Sequence, residues 1–327
     1  MADLSCSYLG LELKNPIIVS SCGYTGNIES LKKIDELGAG AVVLKSIFEE
    51  QISIELGNTK DISLIPEDFV KFMKNYSGNN STSNYLRLLE GSKKDIKIPV
   101  FASVNCVKAG DWLSFLNDIE SAGADGVELN IFFLPDDNDF RSDDFEKIFL
   151  DLVTKATHKV KIPISIKLPQ LFTNPLNIID QLFYRGVVGV TLFNRYYQPD
   201  IDLDEMELIP GDILTHKNDS FDTLRWIGLA SSRVKKISFA ASSGVHDSDT
   251  VIKLLLFGAD AVMVCSVLYR NGLDYLKVMI DELSLWMDNK GFDKIDHIRG
   301  QMNYNDLINT FYFEREQLLR SFDQLFK

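Results

Sequence analysis

A seven-residue pattern that returns four times along the chain limits its fold more than any other feature. Gly38-Ala39-Gly40-Ala41-Val42-Val43-Leu44 recurs as Gly123-Ala124-Asp125-Gly126-Val127-Glu128-Leu129 and as Gly258-Ala259-Asp260-Ala261-Val262-Met263-Val264. A degenerate copy is Gly186-Val187-Val188-Gly189-Val190-Thr191-Leu192. Each copy follows a stretch of helical periodicity, at 28–37, 112–122, 175–184 and 248–257. The leading glycine therefore reads as a helix C-cap in left-handed backbone, and the β-branched run behind it as a buried parallel strand.

Between these copies lies a second kind of strand: Asn15-Pro16-Ile17-Ile18-Val19, Ile98-Pro99-Val100-Phe101-Ala102, Ile162-Pro163-Ile164-Ser165-Ile166 and Lys236-Ile237-Ser238-Phe239-Ala240. Proline at a strand's first position removes no ladder hydrogen bond. Eight short apolar strands of two alternating kinds, with helices in the gaps, predict an α/β fold of the TIM (β/α)8 barrel type rather than a doubly wound open sheet. A length of 327 residues suits one such barrel over residues 1–327. The gaps at 47–98 and 195–236 exceed a plain helix and predict excursions after strands 2 and 6. Alternation at Ile201-Asp202-Leu203-Asp204 predicts a small exposed sheet in the second.

The formal charge of -13 repels phosphate backbones and anionic headgroups, so neither a nucleic acid nor a membrane surface is the expected partner. No run approaches 18 apolar residues, and Met1-Ala2-Asp3-Leu4 lacks the start of a signal peptide. The four cysteines (Cys6, Cys22, Cys106, Cys265) form no CxxC pair, and the four histidines show no ligand spacing. A cytoplasmic protein without a metal is expected. Asp136-Asp137-Asn138-Asp139 lacks the glycine and terminal glutamate of a calcium loop and reads as a solvated loop.

The C-terminal strand ends form the working face of such a barrel. In order they are Ser20-Ser21-Cys22, Lys45-Ser46, Asn105-Cys106, Asn130, Lys167, Asn194-Arg195, Ser242-Ser243-Gly244 and Cys265-Ser266. Amides, hydroxyls and two lysines at the tips of apolar strands make a neutral-to-cationic floor for an anionic or polar planar ligand. Small residues at Ser242, Ser243 and Gly244, followed by the helix cap Asp247-Ser248, suit either a phosphate or merely tight turns. Lys45 and Lys167, each ending an apolar strand, require a charge partner, a ligand anion, or a carbonyl to condense with.

This ordered set resembles the dihydroorotate dehydrogenase family, and in particular its cytosolic class 1 branch. The resemblance is carried by Asn15-Pro16 before Ser20-Ser21, then Lys45-Ser46, Glu128-Leu129-Asn130, Ile166-Lys167-Leu168-Pro169 and Ser243-Gly244-Val245. Leu224-Arg225-Trp226-Ile227 and Ile298-Arg299-Gly300-Gln301-Met302 are similar to a bacterial dihydroorotate-dehydrogenase-like subgroup. The resemblance implies an FMN-dependent oxidoreductase of pyrimidine biosynthesis and a homodimer. It implies FMN contacts from Ser20, Ser21, Lys45, Ser46, Asn130, Lys167 and Asn194, with the phosphate held around Ser243-Gly244 and Cys265-Ser266. The family's paired glycines are replaced at Ser243-Gly244, and its Gly-Thr at Cys265-Ser266.

On the substrate side the chain departs from the family. Phe133 stands at the position of the proton-abstracting cysteine, Pro135 near that of a substrate-binding asparagine, and Arg195 where a serine usually follows Asn194. The base is thus unassigned, with Lys45, Asn130, Asn194 and Arg195 as candidate contacts to a small-molecule substrate. Alternative functions are a non-catalytic flavin- or ligand-binding barrel and a Schiff-base lyase using Lys45 or Lys167.

Overall fold

The computed structural model describes residues 2–57, 66–77 and 81–324. Its barrel strands, in chain order, are β3 Ile17–Val19, β4 Ala41–Val43, β6 Val100–Cys106, β7 Gly126–Ile131, β8 Ile164–Leu168, β9 Gly189–Leu192, β12 Ser238–Ala241 and β13 Ala261–Val264. Each pairs in parallel with its chain neighbours, and β13 returns to β3, so the sheet closes on itself. The expected (β/α)8 barrel is thereby observed.

All four repeat glycines carry left-handed backbone, with φ of 98° at Gly38, 90° at Gly123, 86° at Gly186 and 106° at Gly258. Each ends its helix in the same double bond. Gly38 N–H donates to Asp35 and Ala39 N–H to Ile34; the corresponding pairs at the other copies are Gly123 to Glu120 with Ala124 to Ile119, Gly186 to Phe183 with Val187 to Leu182, and Gly258 to Leu255 with Ala259 to Leu254. This is the Schellman arrangement, which turns the chain from helix into strand while satisfying the last carbonyls. The prolines of the other strand type lie one residue before their strands. Their carbonyls begin the ladder by accepting from the preceding neighbour: Val262 N–H to Pro16, Val42 to Pro99 and Val127 to Pro163. Proline fits there because that position needs an acceptor and no donor.

The opposite end of the barrel is plugged by an antiparallel hairpin that the sequence pattern did not mark, β1 Cys6–Tyr8 with β2 Leu11–Leu13. Tyr8 is 1% exposed and meets Phe101 edge-on at 5.9 Å. Leu9 N–H donates to Ser238 Oγ, which fastens the hairpin to β12.

Both excursions are present. The first carries a short strand, β5 Ile47–Phe48, and the helices Glu49–Glu55, Glu67–Ser77 and Thr82–Asp95; part of it, 58–65 and 78–80, lies outside the described residues. The second carries the exposed hairpin β10 Pro199–Asp202 with β11 Glu207–Pro210. Its first strand stops two residues sooner than the alternation suggests. The Asp202 carboxylate accepts from Asp204 and Glu205 N–H, and this side-chain turn starts the reversal at Leu203. No helix among the described residues is long and apolar enough to cross a membrane.

Candidate functional site

The strand ends converge on a cleft of about 250 Å³, just below the ~300–1,000 Å³ common for small-molecule sites. Ser20, Ser21, Ser46, Asn130, Lys167, Asn194, Arg195, Ser243, Gly244, Cys265 and Ser266 all line it, so eleven of the residues singled out from the sequence share one wall. Their spacing along β3, β7, β8, β9, β12 and β13 puts a polar tip on each strand after a run of buried residues. Among the described residues Lys167 makes no hydrogen bond or ion pair, although it is half-buried. A half-buried ammonium without a protein anion is a site prepared for a ligand's negative charge.

The neutral groups are fixed by one another. Asn194 Nδ2 donates to Asn130 Oδ1 at 2.8 Å, coupling β7 to the end of β9. Ser46 N–H donates to Ser21 Oγ at 2.9 Å, and the Ser46 and Ser103 hydroxyls are 2.7 Å apart. Ser103 is in turn held by Tyr85, whose hydroxyl accepts from its N–H. Such locked donors and acceptors recognise a rigid heterocycle without first having to be ordered.

Lys45 is placed differently from the expectation. It lines a smaller neighbouring cavity with Gly26, Gln51, Asn84 and Tyr85, its ammonium 5.0 Å from the centre of the Tyr76 ring. Ser46 lines both cavities. The helix Glu67–Ser77 carries Tyr76 from a distant part of the first excursion, so only the tertiary structure could draw the lysine aside.

Phe133 also faces away from the cleft. Its ring packs 5.4 Å from that of Phe140 and 4.9 Å from that of Phe145, inside an aromatic cluster that continues to Phe149 and Phe172. The Tyr196 hydroxyl donates to the Phe133 carbonyl and so latches this loop to the segment after β9. Arg195 lines the cleft, but its guanidinium donates to the Ile213 carbonyl and the Gln198 side chain, both at 2.8 Å. Its first task is to fold the second excursion.

Two features escaped the sequence. Glu128 lies 1% exposed on the cleft floor; one carboxylate oxygen accepts from Thr191 at 2.9 Å and the other has no partner among the described residues. A lone carboxylate inside Val127–Leu129 was the available signal. Thr215 enters the cleft from the second excursion, donating its N–H to Ser266 Oγ at 3.0 Å and sitting 3.1 Å from His246 Nε2. Burial lowers the His246 pKa, which favours the neutral ring. Ser266 Oγ accepts from Thr215 N–H and keeps its own O–H to donate, beside the backbone groups at that end.

Ser243 adopts φ of 80°, a left-handed conformation that a non-glycine residue holds at a cost of about 1–2 kcal/mol. Ser243→Gly is expected to leave overall stability nearly unchanged, because strain relief and extra unfolded-chain freedom offset each other. Removing its Cβ and hydroxyl should raise the affinity of the cleft for a phosphate-bearing ligand severalfold in equilibrium titrations. Weaker binding would instead show the hydroxyl to be a ligand.

A closed barrel with a hydrogen-bonding, cation-bearing cleft at its C-terminal strand ends has the architecture of (β/α)8 proteins, whose active sites lie at that face. The family model described as dihydroorotate dehydrogenase matches residues 3–287. The chain is 25% identical over 318 residues to the catalytic subunit of dihydroorotate dehydrogenase B (NAD(+)) of Thermoplasma volcanium, covering 92% of this chain and 98% of that protein. It is 23% identical over 328 residues to dihydroorotate dehydrogenase (fumarate) of Lachancea kluyveri, covering 92% and 99%. It is 24% identical over 316 residues to dihydroorotate dehydrogenase A (fumarate) of Lactobacillus helveticus, covering 93% and 100%. The chain belongs to the dihydroorotate dehydrogenase family.

Proposed function

We propose that this protein is an FMN-dependent oxidoreductase that acts on a small planar or carboxylated substrate, with a substrate side altered from that for dihydroorotate. The observation that carries this reading is Lys167, a half-buried cation without a hydrogen-bond or ion-pair partner among the described residues, set among locked amides and hydroxyls. The donor set fits FMN. Lys167, Asn130, Asn194, Ser20, Ser21 and Ser46 would hold the ring system. Backbone at Ser243-Gly244 and Cys265-Ser266 would hold the phosphate. When bound, FMN supplies a two-electron acceptor for hydride.

Lys167 would balance negative charge on a bound flavin, and the Asn130–Asn194 pair presents one fixed pattern of donors and acceptors. Phe133 cannot accept a proton and is turned into the aromatic cluster, so the usual route for removing a substrate proton is closed. Such a base is typically worth 10²–10⁴-fold in rate.

The test is a visible absorbance spectrum of protein incubated with FMN and desalted, followed by anaerobic addition of dihydroorotate. One bound flavin per chain that dihydroorotate bleaches slowly or not at all is the expected result. Protein that takes up no FMN overturns the cofactor assignment, and rapid bleaching overturns the altered substrate side. A lyase using the free Lys167 amine is the second reading; borohydride trapping of a carbonyl compound in flavin-free protein would favour it.

Phe133→Cys alone is expected not to restore dihydroorotate oxidation. The new thiol would point into the space left among Phe140 and Phe145, and the truncation should cost roughly 2–4 kcal/mol, somewhat below a fully buried phenylalanine deletion. Urea unfolding and stopped-flow flavin reduction check the two halves of this prediction.

A further inference from the structure

The hairpin of β10 and β11 stands apart from the barrel sheet: among the described strands these two pair only with each other. Its base is held firmly. Gly211 N–H donates to the Gln198 carbonyl at 2.8 Å, the Tyr197 hydroxyl donates to the Ile209 carbonyl, and Arg195 joins Gln198 to Ile213. Arg195 before it and Thr215 after it both line the cleft, so the hairpin rises beside the cleft.

Its register sorts the side chains onto two unlike faces. Ile201 lies opposite Leu208 and Pro199 opposite Pro210, so these four share one face; Asp202 opposite Glu207 and Asp200 opposite Ile209 share the other. Leu203 and Met206 follow at the turn. Ile201, Leu203, Met206 and Leu208 are each more than half exposed, from 55% at Ile201 to 85% at Met206. Four large apolar side chains grouped on one protruding hairpin differ from the scattered exposure of an ordinary surface. Met206 also holds φ of 54°, a left-handed backbone that glycine or asparagine adopts at less cost.

The charge on the hairpin decides what kind of partner covers that face. Asp200, Asp202, Asp204, Glu205 and Glu207 place five carboxylates in eight residues, and no lysine or arginine occurs between Arg195 and Lys217. None of the five enters an ion pair among the described residues. Asp202 and Glu207 stand directly opposite each other, a like-charge cross-strand pair that opposes the hairpin's own pairing. A second copy would bring the same carboxylates and a further formal charge of -13 to the patch. A cationic partner instead removes the repulsion while it covers the apolar face.

We propose that this face docks a cationic amphipathic segment of a partner protein. The segment lays its apolar side chains on Ile201 and Leu208, and its lysines or arginines reach past the edge of the ribbon to the carboxylates behind. Neighbouring strands are only about 5 Å apart, so side chains of that length span the distance.

The test titrates intact protein into a fluorescent synthetic peptide of lysine and leucine patterned as an amphipathic helix, and follows anisotropy. The glutamate–leucine counterpart is the second probe. Saturable one-to-one binding of the lysine peptide alone is expected. Ile201→Ser with Leu208→Ser leaves the net charge unchanged and should weaken binding about tenfold or more. Asp200→Asn with Glu207→Gln should weaken it severalfold, as should raising salt from ~0.05 to ~0.5 M. Met206→Gly removes an apolar contact from a turn that suits glycine, so weaker binding there reports the contact and not a misfolded hairpin. Unchanged binding in the Ile201–Leu208 variant, or equal binding of the glutamate peptide, overturns the proposal. Sedimentation of the protein alone as a dimer that the same variant dissociates also overturns it, and assigns the face to a second copy. Binding is read on flavin-free protein, so failure of the cofactor assignment is separately visible.

Discussion

Replacing Lys167 with methionine is expected to leave the barrel folded and to weaken the FMN binding proposed for it. Methionine preserves most of the side-chain length and packing, and no protein ion pair is lost because Lys167 has none among the described residues. Burying an unpaired ammonium opposes folding, so stability should hold or rise slightly. The ligand loses a charge-assisted hydrogen bond worth about 1.5–3 kcal/mol, or roughly 10- to 150-fold in affinity. Equilibrium dialysis against FMN beside a urea melt separates the two effects. A variant that melts early while retaining FMN would mean that Lys167 supports the fold rather than the ligand.

The largest effect on stability is expected from Gly40→Ala. A Cβ at Gly40 would sit 2.0 Å from the Asn15 carbonyl oxygen and 3.2 Å from that of Ile17, and both are backbone atoms that cannot swing aside. Gly40 N–H donates to that same Ile17 carbonyl at 2.8 Å, so relieving the clash would break the join between β3 and β4. A loss of about 3 kcal/mol or more is expected, at the upper end of overpacking effects. Gly91 gives the opposite sign. It lies inside the helix Thr82–Asp95, and a methyl group added there would have no neighbouring atom within 4 Å, so Gly91→Ala should stabilise by roughly 0.5–1 kcal/mol. Paired denaturant melts check both; equal effects would show that close approach at Gly40 is not the constraint.

The barrel was legible because its information is local. Left-handed glycine caps and strand-entry prolines act within a few residues of themselves, and seven such boundaries leave little choice of topology. The plugging hairpin β1–β2 was not legible, since two three-residue strands carry too little periodicity to stand out. In the second excursion alternation revealed the hairpin but missed where Asp202 would end its first strand.

The site was legible in part for the same reason. Once strand ends were known, Lys167, Asn130, Asn194 and the serines had to share the cleft, because parallel strands bring their C-terminal tips together. Lys45, Phe133 and Arg195 were placed by partners far along the chain: Tyr76, the Phe140–Phe145 cluster, and Ile213 with Gln198. Nothing in the local pattern encodes those partners. Glu128 lay inside a repeat copy, yet its half-satisfied carboxylate depends on Thr191 from a strand two places away.

By itself, then, the glycine-led repeat determined a closed eight-stranded barrel and the set of groups at its mouth, because backbone sterics and strand periodicity act over short stretches of chain. Only the tertiary structure decided which of those groups face the cleft and which are consumed by packing. Those outcomes depend on barrel closure and on excursion residues brought from tens to hundreds of positions away, whose contacts no short-range rule specifies.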